Sequence, residues 1–193
     1  MPLGVAGRIA FFAFFGAVAA ACAPHAGSAP VDIFSALCRS GRPIVATPVP
    51  VAVVFQRLLA VAVDDIRGTS VQLVVVASGG KPSLPAWSCG SGRRAMIVLP
   101  METIEDPRSS LSALAHITGH ELAHIARHHP RGSLPDSLEE AKAELEEAEA
   151  EADERAVMYL ARAGYDCSPL REYYRDPARK DRVHLACERL QRS

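Results

Sequence analysis

An excess of charge of one sign is missing from this chain: 21 Lys and Arg stand against 22 Asp and Glu, for a net charge of -1. A surface that grips nucleic acid needs clustered cations to replace the counterions it releases, so the balance excludes that class of partner. A long apolar run is missing too. The longest, IAFFAFFGAVAAACA at residues 9–23, falls short of the roughly 20 residues that a membrane-spanning helix takes. There is no internal repeat and no change of composition that would mark a second domain, and 193 residues suit one domain with a continuous core.

What the apolar run does resemble is the centre of a secretory signal, with Arg8 before it and the small-residue segment APHAGSAP after it. An uncleaved N-terminal anchor is the alternative reading. AAAC resembles a bacterial lipoprotein box, with Ala19 where Leu is usual, which makes Cys22 the candidate for lipidation and for membrane attachment without a span. The expected location is therefore outside the cytoplasm: periplasmic or envelope-associated, lipid-anchored or not, or secreted. Beyond Cys22 stand Cys38, Cys89, Cys167 and Cys187. An even number in an exported chain points to two disulfides, although four cysteines allow three pairings. Cys38 with Cys89 and Cys167 with Cys187 is the preferred set, because the second pair would staple the C-terminal segment to the end of a helix. Reduced, buried thiols are the alternative.

Along the chain, VDIFSALCRSG reads as a short helix ending at Gly41, and RPIVATPVPV, with Pro43, Pro48 and Pro50, as an extended connector. Phe55, Leu59 and Ala62 fall at helical spacing within residues 52–65. The β-branched run VQLVVVA (71–77) predicts a buried strand, AMIVLP (95–100) a second, and KPSLPAWSCGSGRR between them a loop. A long helix is expected next, capped by Asp106 with Pro107 in its first turn and stopped by Pro130. A second long helix, Leu138 to Ala163, opens with the capping pair Ser137 and Glu140 and closes at Gly164. Its first half is acidic and solvated, whereas Ala156, Val157 and Leu160 give its second half a face to bury. A turn at Asp176 and Pro177 precedes a final short helix from about Arg179.

The chemistry concentrates in HELAH. His120 and His124 lie four residues apart on one helical face, so both imidazoles can converge on one ion, and Glu121 can reach a water on that ion. Two imidazoles and a carboxylate suit zinc and leave a fourth position for water. Histidines that merely cap the helix or pair with surface acids are the bland alternative. EAEAD in the second helix weighs against it: Glu149 and Asp153 sit one turn apart, continuous with the apolar stripe. Carboxylates on a face meant for burial need partners. Zinc for Glu149 and the distal N–H of a ligand histidine for Asp153 would supply them. Glu151 and Glu154 point elsewhere and read as solvated. His116 and His128 extend the same row, but four histidines in a row cannot all reach one ion.

Taken together, AMIVLP, HELAHIARHH, Glu149 to Asp153 within EAEADERA and the AGYD end at Ala163 to Asp166 resemble the gluzincin metallopeptidases. Within that group they are similar to the CAAX prenyl endopeptidases and their soluble bacterial periplasmic relatives. The resemblance runs from about Val71 onward and implies a polypeptide substrate, one zinc ion, Glu149 as third ligand and Asp153 as the carboxylate behind a ligand histidine. It also implies an α+β fold, mostly helical and zincin-like, with a small sheet beside the HExxH helix. The expected layout is a leader over 1–23, an extended segment over 24–50 and a zinc metallopeptidase domain over 51–193. Zinc would activate a water, with Glu121 as general base for an endopeptidase, and AMIVLP, at a sheet edge, would hold the peptide extended. The alternative is a weak or inactive, zinc-stabilised protein-binding module of the envelope.

Two departures stand out. LPAWSCGSG replaces the family's Asn-Ala-bearing segment before the strand. Pro177 and Arg182 keep the spacing of the family's closing motif, but Asp176 stands where relatives carry a His close to the metal. His128, Tyr173 and Arg175 are the candidates for that residue's transition-state or gating role.

Overall fold

Proline sets the first boundary. Pro50 falls in the first turn of helix α1, Val49–Ala62, where the missing N–H would have no partner within the helix in any case. The expected connector therefore stops at Pro48, and Ile44–Val45 just before it already form a short strand, β1. The computed structural model describes residues 42, 44–78, 85–91, 93–127 and 138–192, all within one compact unit, Val31–Ser193. The leader, the VDIFSALCRSG helix, Cys22, Cys38, His128, Pro130 and Ser137 lie outside the described residues. Among those described, no helix is long and apolar enough to cross a membrane.

The fold is mixed α+β, mostly helical with one small sheet. Strand β2 (Ser70–Val76), β3 (Trp87–Ser91) and β4 (Arg94–Pro100) join β1 in the order β1-β2-β4-β3. β2 and β4 run parallel, with Val71 opposite Ala95 and Val75 opposite Leu99. β1 and β3 are antiparallel to their neighbours. AMIVLP is thus an interior strand rather than an edge. Covered by a strand on each side, it buries Ala95, Ile97, Val98 and Leu99. β2 is less buried than its composition suggests, with only Val75 and Val76 fully inside.

The expected loop between these strands is partly strand β3. Gly, Ser and Cys have little β-propensity, so its composition conceals it. Gly90 has a specific reason to be there: a Cβ at this position would sit 2.6 Å from the Arg94 carbonyl oxygen, across the hairpin.

Helix α2 (Met101–Glu105) follows β4 directly, and Asp106 ends it instead of opening the next helix. Residues 106–109 form a turn, in which the Asp106 carboxylate accepts from the Arg108 amide at 2.9 Å. The N-cap of helix α3 (Leu111–Ala126) is Ser110, whose hydroxyl accepts from the Ala113 amide at 3.1 Å. A local turn competed for Asp106 and won. Helix α4 (Leu138–Arg162) closes as expected at Gly164, in the left-handed region at φ 79°. Helices α5 (Leu170–Tyr173) and α6 (Pro177–Gln191) complete the chain, with Asp176 as the side-chain N-cap of α6.

One core joins Leu58 of α1, Ile97 of β4, Leu122 of α3, Tyr159 and Leu160 of α4, Leu170 of α5 and Val183 of α6. α3 lies in the middle, packed on α1, α4 and the sheet. The disulfide Cys167–Cys187, with Cα atoms 6.0 Å apart, ties the loop after α4 to α6. Cys89 is disulfide-bonded as well; its expected partner, Cys38, falls outside the described residues.

Candidate metal centre

α3 is central and buried along most of its length, so the polar groups that it carries inward need partners. His120 and His124 are 5% and 9% exposed, and Glu121 6%. One turn of helix brings the two Nε2 atoms to 3.0 Å from each other. α4 packs alongside and delivers Glu149, with Oε2 3.2 Å from His120 Nε2 and Oε1 3.3 Å from His124 Nε2. All three residues place one donor atom within 4.8 Å of the others, a grouping that suits a metal ion.

Those separations test the fit of zinc. Ligand atoms about 2.0–2.1 Å from a tetrahedral zinc stand about 3.3 Å apart. The two imidazole nitrogens at 3.0 Å, with one Glu149 oxygen 3.2 Å from His120 and the other 3.3 Å from His124, are close to that spacing. The donor set of two imidazoles and one carboxylate is also the one zinc takes in open sites. His120, His124 and Glu149 therefore fit a single divalent ion.

Asp153, fully buried one turn along α4, organises the layer behind. Its Oδ1 lies 2.9 Å from His120 Nδ1 and accepts from Arg179 Nε at 3.1 Å and Nη2 at 2.8 Å. Its Oδ2 accepts from Arg182 Nε at 3.2 Å and Nη2 at 3.0 Å. Burial alone would raise this carboxyl, but the His120 hydrogen bond and the Arg179 charge hold it well below the usual carboxylate range. An ionised Asp153 fixes the proton of His120 on Nδ1 and turns Nε2 towards Glu149. Glu149 is likewise held well below its ordinary value, by hydrogen bonds from His120 and His124 against an opposing burial effect. For His120 burial pulls the other way, yet the bonds to Asp153 and Glu149 raise its affinity for a proton. A metal ion would compete with that proton for Nε2.

A cavity of about 530 Å³ opens beside His120 and Glu149, lined also by Glu102, Glu121, Tyr173 and Arg179. Of the candidates for the missing His, Tyr173 lines this cavity and its ring carries Arg108 at 5.6 Å. Arg175 is exposed and does not line it. Glu151 and Glu154 do find surface partners, in Arg127 and Arg189.

Sequence reasoning missed Arg179, Tyr174 and the role of His116. His116 is fully buried, its Nδ1 is 2.6 Å from the Tyr174 hydroxyl, and burial pushes its pKa down to about 3. It lies behind Tyr174, outside both the cavity lining and the ligand set. The signal for Arg179 was present: it and Arg182 lie one turn apart on α6, a pair that can grip one carboxylate from one side.

A scan against protein-family models finds no match, and a search of curated proteins finds no significant relative.

Proposed function

We propose that this chain is a zinc-dependent endopeptidase acting on exported or envelope proteins, with a zincin-like fold of the kind found in the CAAX prenyl endopeptidases. The observation that carries the reading is the grouping of His120, His124 and Glu149 donor atoms, with Glu121 lining the cavity that His120 and Glu149 also line. The backing of His120 by Asp153 supports it, since ligand histidines need a fixed tautomer. When bound, zinc supplies Lewis acidity, lowering the pKa of water and polarising a carbonyl.

The remaining roles belong to the protein. Glu121, next to the first ligand, takes a proton from the attacking water and returns it to the leaving amine. Asp153, Arg179 and Arg182 keep His120 from turning away. β3 replaces AMIVLP as the outer strand beside α3, and Pro85 and Ala86, just before it, line the cavity. An extended peptide would therefore pair with Trp87–Ser91, leaving side-chain preference to pockets below. Export rests on the leader and on the disulfides.

A second reading, a weak or inactive zinc-stabilised protein-binding module of the envelope, needs only the ion-holding triad, and the geometry carries the triad more directly than it carries turnover. Asp176 favours it, because this residue spends its carboxylate on capping α6 where relatives carry a His near the metal. Metal analysis of protein purified from Ala23 onward, with casein digestion by wild type and Glu121→Gln, separates the two. One zinc per chain with casein cleavage that Glu121→Gln abolishes is the expected result. Zinc without cleavage in the wild type would establish the binding module, and absence of zinc would overturn both.

A further inference from the structure

Among the described residues, Arg179 is the one guanidinium that is both largely withdrawn from solvent and part of the cavity wall beside His120, Glu121 and Glu149. Its position is over-determined. Asp153 holds Nε and Nη2 on one oxygen, and the ring of Tyr174 stacks under its central carbon at 4.6 Å. Tyr174 is itself fixed by the 2.6 Å bond to buried His116. Nη2 also approaches His120 Nδ1 at 3.2 Å. With His120 Nε2 turned to the ligand triangle, Nδ1 carries a proton, so both groups donate to Asp153 and neither accepts from the other. These bonds use the Nε and Nη2 side of the fork. Among the described residues, Nη1 makes none.

A planar cation clamped from behind and below, with donors to spare on a side chain that lines the cavity, is more than is needed to orient Asp153. Arg182 already does that from the other oxygen, also with two nitrogens. We infer that Arg179 is a catalytic residue of the proposed peptidase, donating from Nη1 to the oxyanion that forms on the scissile carbonyl when water adds to it. The inference rests on the peptidase reading above. Charge on that oxygen is greatest in the tetrahedral species, and a donor that needs no rearrangement at that moment favours it over the planar substrate. The step balances without any further reagent: the water oxygen bonds to the carbonyl carbon, Glu121 receives the proton, and the carbonyl π electrons become the oxyanion facing Arg179. Collapse of this species breaks the C–N bond, and Glu121 returns the proton to nitrogen.

The test uses the zinc-loaded full chain and two inhibitors with the same peptide arm. One is a phosphinic peptide, whose tetrahedral anion imitates the oxyanion; the other is a thiol, which binds zinc without presenting one. Arg179→Gln should weaken the phosphinic peptide about 100-fold or more and the thiol by less than about 3-fold, with zinc still at one per chain. kcat on a short peptide should fall by a similar factor while KM stays nearly constant. Arg179→Lys, which keeps charge but not the fork, should lose about 10-fold and serves as the deciding variant if Arg179→Gln does not fold. Equal weakening of both inhibitors, loss of zinc from either variant, or unchanged phosphinic affinity in the folded variant would each overturn the assignment. Casein digestion by the wild type, run on the same preparation, tells that failure from failure of the peptidase reading: cleavage with an indifferent Arg179 sinks this inference alone, and no cleavage with no phosphinic binding sinks both.

Discussion

Asp153 receives five donor contacts from His120, Arg179 and Arg182, and none from solvent. Replacing it with Asn keeps the shape but ends its preference for a proton on His120 Nδ1, and it leaves two guanidinium groups half-buried against a neutral amide. Asp153→Asn should therefore weaken zinc about 10- to 100-fold, read by competition with a chromogenic chelator, although Asp153 touches no ion. Away from the site, Asp65 accepts from Tyr159 at 2.7 Å and from Arg155 at 2.8 Å. The Tyr159 bond, opposed by burial and helped by Arg155, lowers the Asp65 carboxyl below its usual range. A lowered carboxyl adds stability above its ordinary pKa, and that stability disappears as pH falls through the lowered value. Tyr159 works in the opposite sense: burial and Asp65 raise it to about 12, so its contribution is complete below pH 10 and is lost between about 10 and 12. Tyr159→Phe should cost about 1–2 kcal/mol at neutral pH in urea unfolding and flatten both limbs of the pH profile. Unchanged limbs would mean that the pair titrates alike folded and unfolded.

At the level of elements, α3 and α4 approach closely at Gly119, where an added Cβ would lie 3.5 Å from the backbone of Ala156. That is ordinary contact, so Gly119→Ala should be accepted and should raise stability by up to about 1 kcal/mol through helix propensity. Gly90→Ala should do the reverse, because its Cβ would collide with the Arg94 carbonyl and neither backbone can give way without opening the hairpin. Thermal melting of the two variants gives the contrast: shifts of the same sign would contradict this account of the packing. These elements also explain what could be read from the chain alone. Period and end signals sufficed for α4, whose acidic half and buried stripe differ in kind and whose Gly164 is a local requirement. They failed for β3, whose Trp-Ser-Cys-Gly-Ser composition is poor in strand formers and which is a strand through its pairing with β4. They misplaced the start of α3 because Asp106 and Ser110 are both competent caps, and only the turn between them decides. The triad could be anticipated from helical spacing within α3 and α4. Arg179 could be anticipated only as one of a pair with Arg182, since which carboxylate that pair grips depends on how α6 docks, and spacing within α6 does not give that.

Across the whole molecule, the last helix is held by a covalent link at one end and by charge near the other. Cys167–Cys187 closes a loop of 20 residues, so its reduction should cost about 3 kcal/mol, seen as a lower denaturation midpoint on adding a thiol reductant. In native extract both sulfurs should resist alkylation until that reductant is present. The charge end has a different consequence. Asp153 joins the imidazole of His120, a candidate ligand, to two side chains of α6, so ion binding there would be thermodynamically coupled to the docking of α6, with a coupling energy of the same size read from either side. A helix that offers no ligand thereby becomes a gauge of metal occupancy. If undocking α6 empties the site, free zinc at a thousandfold excess over its Kd should slow deuterium exchange of the α6 amides by as much as about 4 kcal/mol of opening free energy, while Arg179 and Arg182 replaced together should erase that protection and, by the same amount, loosen the ion.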